Sequence, residues 1–401
     1  MKKIYFSLCF LPVLFSACDF NASQTVRYQI NEPIVIPMEK FRNSVQISDA
    51  RNLTTIGKMC FYNGYLYISD PRKGIHIIDN QNPEHPQIKS YIELQGNSNL
   101  CIHNNRLYAD AWIDLLWFDL SNPAEPRLEG RLLNAFSEVL PEIPNIHPYD
   151  YELVSKAKQN GVVVGWELKT YEKQELPVRG NNINSSNAQF GLTENYLYVI
   201  IQSKMYLVDL SGEIPLLQEN QATDAETIYP YKNNLFLGTP LGMFIYSLED
   251  PLNPKQTVQI PNLSDSNPIA ISDNVVYAST KNELVVIDVS DANNPKKMAS
   301  YPMHNPKGLG INRNLLFLCD NGLKIFRLDN PQDLTNEKNT YFFDEQPLAD
   351  SYNVIPWHNQ RQEFILMMVS KTGLYQYDYS EIFSSKNIRF LSVIPLIILN
   401  D

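Results

Sequence analysis

The stretch Leu284-Val-Val-Ile-Asp-Val-Ser-Asp-Ala-Asn-Asn-Pro-Lys-Lys-Met-Ala-Ser-Tyr301 decides how the chain is read. Leu284 to Ile287 is an aliphatic, β-branched run, which suits a pleated and half-buried strand. Asp288 and the segment Asp291 to Pro295 follow. Asp and Asn bond nearby backbone N–H groups and Pro ends ladder pairing, so this is a turn with a mechanism. Met298 to Tyr301 begins the return strand.

The phrase recurs. The residue that closes the apolar strand before the turn is Asp79, Asp119, Asp209, Ser247, Asp288, Arg327 and Asp378 in turn. Each copy has an upstream pair of short strands around a turn: Asn63-Gly64, Asn104-Asn105, Glu194-Asn195, Asn233-Asn234, Asp273-Asn274, Asn312-Arg313 and His358-Asn359. Asn/Gly turns between apolar runs are the strongest short-range hairpin signal. Four strands repeated about every 40 residues indicate an all-β, seven-bladed β-propeller of four-stranded antiparallel blades over residues 56–396.

The interval from Asp119 to Asp209 is too long for one unit. It reads as an insertion at about 134–180 with one strand or hairpin at 161–173. An eroded eighth blade, centred near Trp166 and Glu167, is the alternative. Residues 32–55 form a lead-in segment in which Pro33 to Pro37 has the composition of a strand.

The N-terminus carries an address. Met1-Lys2-Lys3 is positive, Ile4 to Phe15 is apolar but too short to cross a bilayer, and Phe15-Ser16-Ala17-Cys18 ends it. This end resembles the lipobox of bacterial lipoproteins. The resemblance implies a signal peptide at 1–17 and a lipidated Cys18, hence a protein anchored by lipid in the cell envelope, on the outer membrane or a periplasm-facing membrane. Residues 18–31 are polar and without pattern, as expected of a tether.

The repeat phrase, with YPMHNPKGLGINRNLLFLCDNGLKIF (301–326), GLYQYDYS (373–380), RLYADAWIDLLWFDLSNP and GVVVGWE, resembles the LVIVD-repeat lipoproteins of Bacteroidetes-type bacteria. That resemblance covers about residues 30 to 396. It implies a β-propeller lipoprotein and no particular reaction.

Composition narrows the function classes. The chain has 401 residues and a formal charge of −11, which disfavours nucleic acid, since phosphate binding needs a basic surface. Cys60, Cys101 and Cys319 lack a CxxC spacing and read as small buried side chains. The repeated aspartates could in principle ring a cation, but Ser247 and Arg327 interrupt the set and their place before turns suits backbone anchoring. The histidines form no HxH or HExxH, and no metal site is expected. Cofactor and catalytic residues are not assignable from the sequence.

Function is expected where the repeat fails, because loops on a rigid scaffold tend to carry it. Within the insertion, His147, Tyr149, Tyr151 and Trp166 form the candidate binding face, aromatics being suited to sugar and peptide contact. The expected role is non-catalytic binding of a protein or glycan. The alternative is an envelope enzyme of hydrolase, lyase or quinone-dependent dehydrogenase type, with its site at the propeller axis. The lipobox yields a direct expectation: Cys18→Ala abolishes incorporation of radiolabelled fatty acid, and labelling that survives the change would overturn the lipid anchor.

Overall fold

A computed structural model describes residues 26–173, 179–180, 187–222, 225–261, 263, 268–336, 340–344, 347–358 and 364–397. The signal segment 1–17 and Cys18 lie outside the described residues.

The chain forms eight sheets. Seven follow the repeat, each with strands paired in sequence order and antiparallel throughout. One is Ile269–Ser272, Val275–Ser279, Glu283–Asp288 and Lys296–Pro302. Its first turn holds Asp273 and Asn274 at φ 49° and 62°, the paired left-handed conformation that suits a two-residue hairpin. Asn63-Gly64 and Asn104-Asn105 occupy the same place. In two units the turn is displaced by one residue from the place the sequence suggests, one residue earlier in the fourth sheet and one residue later in the sixth. Tyr231 pairs with Asn234, and Asn312 with Leu315, so the turns are Lys232-Asn233 and Arg313-Asn314. In both, an Asn beside the turn, Asn234 or Asn312, is a paired strand residue. The Glu194-Asn195 turn is wider, since pairing ends at Leu192 and Leu197. Asn359 lies outside the described residues.

The two middle strands of each repeat sheet are buried on both faces. Leu66, Ile68 and Ile78 pack with Ile365, Met367 and Val369 of the last sheet. Tyr67, Ile75 and Ile77, alternating with them, pack with Leu107, Ala109 and Leu116 of the second. The same two-sided packing joins the third sheet to the fourth and so on to the seventh. Outer strands alternate instead, as in Lys255–Ile260, where most residues are exposed. The first inner strand, Met59–Tyr62, touches Leu100–His103, which touches Gln189–Leu192, and the series runs on to Asn353–His358. Gly308 and Gly310 lie where inner strands come close: a Cβ at Gly308 would sit 2.5 Å from Asn353 Cα, and one at Gly310 2.5 Å from Pro356 Cδ.

The eighth sheet is composite. Val26–Ile36 pairs antiparallel with Val162–Lys173, from Val26 opposite Lys173 to Ile36 opposite Val162, with a bulge after Ile34. Asn31 also pairs, in parallel, with Tyr149, and Tyr149–Asp150 pairs with Arg179–Gly180. The tether expected over 18–31 is thereby shortened: residues 26–31 belong to this strand, and Tyr28 and Ile30 are buried in it. The segment looked patternless because its partner lies far off; Gln29 and Thr170, 141 residues apart, share a side-chain hydrogen bond. The insertion is accordingly more than the single strand or hairpin expected. It adds the helix Tyr151–Asn160, capped by Asp150, whose carboxylate accepts from the N–H groups of Glu152 and Leu153. Val154 and Ala157 are its buried residues, and they cluster with Tyr149 and Val163 of the sheet.

Two devices fix the composite sheet to the ring. The short helix Met38–Asn43 places Arg42 against Asp114, a fully buried carboxylate that also receives Arg131, at 3.1 and 3.2 Å. Further along, the Gln202 side chain bonds both the N–H and the C=O of Leu140, and Phe136 packs edge-on against Tyr206. The lead-in also gives Gln46–Asp49, which adds a fifth strand to the first repeat sheet.

Between the last repeat sheet and the first, Gln376 and Asn80, both buried, exchange amide hydrogen bonds of 2.7 and 2.8 Å, and Gln376 also donates to Ser392. Replacing Gln376 by Leu strands the Asn80 amide, which we expect to destabilise the protein by about 1–3 kcal/mol. The denaturant midpoint should fall, and a second change, Asn80→Leu, should recover part of the loss.

Candidate functional site

The repeated aspartates are turn anchors. Asp79, Asp119, Asp209, Asp288 and Asp378 each accept from the N–H two residues on, at 2.8 to 3.1 Å, and Ser247 does the same with its hydroxyl. Bonds from the Ser121 hydroxyl and N–H hold the Asp119 carboxyl below its usual range. Arg327 breaks the pattern and bonds Asp329 instead. Among the described residues no group of three or more His, Cys, Asp or Glu side chains is arranged to hold a metal.

The three cysteines are free thiols. Burial pushes Cys60 and Cys319 up to about 12, so neither is a nucleophile at neutral pH. His304 is largely exposed beside Asp320, and His358 ends an inner strand against Phe364. Trp112 and Trp117 are buried, and Trp357 packs on Phe61 between the seventh and first sheets.

The candidate face is brought together. Tyr149 is buried at the centre, with Tyr151 edge-on at 5.2 Å and Trp166 at 5.4 Å. Gly180 permits this: a Cβ there would lie 2.2 Å from the Tyr149 ring. Trp166 donates its indole N–H to Pro141 O at 2.9 Å, which fixes the ring. Burial, and then the neighbouring Tyr151 hydroxyl, raise the Tyr149 phenol to about 12. Tyr151 is 51% exposed, and Ile146, in the loop that leads into the cluster, is 96% exposed. Half-buried His147 lies apart from the rings, lining an open cleft of about 340 Å³ with Arg27, Tyr28, Gln29 and Thr170. Its main chain is held by Asn31, whose amide donates to His147 O.

Sequence reasoning missed a buried polar network at the inner-strand starts. Asp110 is fully buried and accepts from Ser98 N–H and Oγ, Asn99 N–H and the Asn97 amide, at 2.6 to 3.2 Å. Ser69 of the first sheet donates to Asn97, while Asn99 donates to Ala188 O and Ser98 accepts from Ala188 N, ahead of the third. Arg72 lies over the Trp112 ring at 4.4 Å and bonds Gly96 O and Asn187. The network's own groups satisfy one another, as a joint between three sheets requires. Its signal was present: Asn97-Ser98-Asn99 before a strand, and Asp110 inside an apolar run.

Comparison with known proteins adds the repeat's identity. Three stretches of the chain are LVIVD repeats. They cover residues 59–93, 99–134 and 265–302, the last including the Leu284–Tyr301 phrase. With these repeats and eight β-sheets, seven of them built on the same four-stranded plan, the molecule is a β-propeller repeat protein. Among solved structures, the computationally designed Ika8 protein is similar in fold, with a TM-score of 0.52, 9% identity, and coverage of 86% of this chain and 88% of its own. A functionally unknown protein from Desulfotomaculum acetoxidans scores 0.48 at 11% identity, covering 75% and 87% of the two chains. Hsv2 from Kluyvelomyces marxianus scores 0.48 at 10%, covering 88% and 100%. No curated protein matches the chain.

One buried group predicts a pH response. His76 is fully buried in the first repeat sheet, its ring 4.8 Å from Tyr91, and among the described residues neither ring nitrogen has a partner within good hydrogen-bond geometry. Burial lowers its pKa, with Asp70, 3.9 Å away, acting in the opposite sense. The unfolded chain then binds a proton that the folded chain resists, so this contribution to stability is present above about pH 6.5 and is lost as pH falls through it. The melting temperature should drop between pH 7 and pH 5, and His76→Leu should flatten that slope.

Proposed function

We propose that this protein is a non-catalytic binding module, tethered by lipid at Cys18 to a bacterial envelope membrane, that presents its composite sheet to a protein or glycan. We further infer that its ring has seven blades, with the composite sheet standing outside them. The direct contact between the second and third inner strands supports that count, because a blade between them would separate them.

The observation that carries the binding reading is the Tyr149, Tyr151 and Trp166 cluster. A buried ring holds two others in place, and exposed Tyr151, at the start of the helix, and Ile146, in the loop before Tyr149, flank the composite sheet that the repeat does not build. Rigid aromatic surface contributes contact area at small entropic cost. The catalytic alternative draws less support from the buried acids: Asp110, Asp114 and Asp320 are each occupied by the chain's own donors.

The test is a comparison of cross-linked partners captured from envelopes by the unaltered protein and by the double variant Tyr151→Ala, Ile146→Ser. Both changes lie on exposed side chains and should leave the melting temperature within about 1 °C, since surface substitutions are usually near neutral. We expect at least one partner or glycan fraction to be lost. Unchanged capture would remove this face from consideration.

A further inference from the structure

Val162–Lys173 is twelve residues long, about twice an ordinary strand, and it forms an outer edge of the composite sheet. Its main chain pairs on one side, with Val26–Ile36. Among the described residues, the other edge of Trp166 to Thr170 faces no strand of this chain, and Glu167 to Thr170 are exposed. An open edge presents a row of N–H and C=O groups that templates a further strand.

We propose that this edge pairs antiparallel with the same edge of a second copy, about a two-fold axis at Leu168. Identical strands related by a two-fold axis must set one residue opposite itself. With Leu168 in that place, Leu168 meets Leu168, Glu167 meets Lys169 of the second copy, and Lys169 meets Glu167 in return. Trp166 then faces Thr170. Centring the axis one residue either way sets Glu167 or Lys169 opposite itself, and like charges directly opposite are unfavourable. The charge order along the strand therefore selects the Leu168 register among these three. Leu168 is 42% exposed, an apolar side chain that the pairing would cover. Lys169 already bonds Glu32 at 2.8 Å and Glu167 at 3.3 Å. In the pair, it would add the second copy's Glu167 to a carboxylate pair already held in position. The charges that discourage foreign strands from this edge are thus arranged to admit its own copy.

Two measurements test this on the full chain in detergent. Light scattering should give a dimer, twice the monomer mass, at high concentration. Glu167→Lys should weaken association roughly tenfold or more by placing lysines opposite one another. The double variant Glu167→Lys, Lys169→Glu should restore it, and melting curves should report that each variant is folded. Separately, Leu168→Cys should form a disulfide-linked dimer under mild oxidation, while Thr170→Cys, offset along the strand, should not. A monomer mass at every concentration, failure of the charge-swapped double variant to recover, or equal cross-linking at 168 and 170 would overturn the proposal.

Discussion

Two-sided burial of the middle strands governs this fold. Residues such as Tyr67 and Leu66 alternate along a strand, yet both are buried, one toward the second sheet and the other toward the seventh. A sheet that is apolar on both faces needs a neighbour on each. A row of such sheets always leaves two faces wet, and only a closed ring removes them. The seam between first and last sheets is accordingly built as carefully as any other. It has its own apolar cluster, the Gln376–Asn80 amide pair, and ion pairs from Arg389 to Glu84 and Asp378.

The ring holds its polar groups to a related constraint. Where the inner strands of the first three sheets begin, main-chain groups would be buried without partners. Asp110, Asn97, Ser98 and Asn99 satisfy them, and one another. On the opposite end of the strands, the aspartates that precede the Asn-Pro turns bond the turn's own N–H groups. The most regular acidic feature of the chain is therefore spent on local backbone, which leaves it little capacity to hold a ligand. What departs from the repeat is free of that duty, and the aromatic cluster of the composite sheet lies there.

The candidate face was legible in part. Tyr149, Tyr151 and Trp166 stood out because they fall in the interval where the repeat lapses, and they do converge. His147 was grouped with them by sequence proximity alone. The chain bends at Pro144 to Ile146, and His147 lines the cleft beside Arg27 instead. The Asp110 network escaped notice because a single acid in a strand has no periodic partner; its bonds come from Ser98 and Asn99, across a hairpin whose register had first to be known.

The sequence by itself determined the repeat sheets. Local rules were enough, since a period of two, an Asn-rich turn and an Asp before Asn-Pro act within about 40 residues. It also determined that residues 134–180 stand apart. Only the tertiary structure decided what they form. Their strand is completed by residues 26–36, of which only the part from Pro33 has the composition of a strand, because the pairing rests on backbone bonds that any side-chain order can supply. Pairing across more than a hundred residues is chosen by the position of the ring, by Arg42 on Asp114 and by Gln202 on Leu140. None of those contacts has a spacing that could be read along the chain.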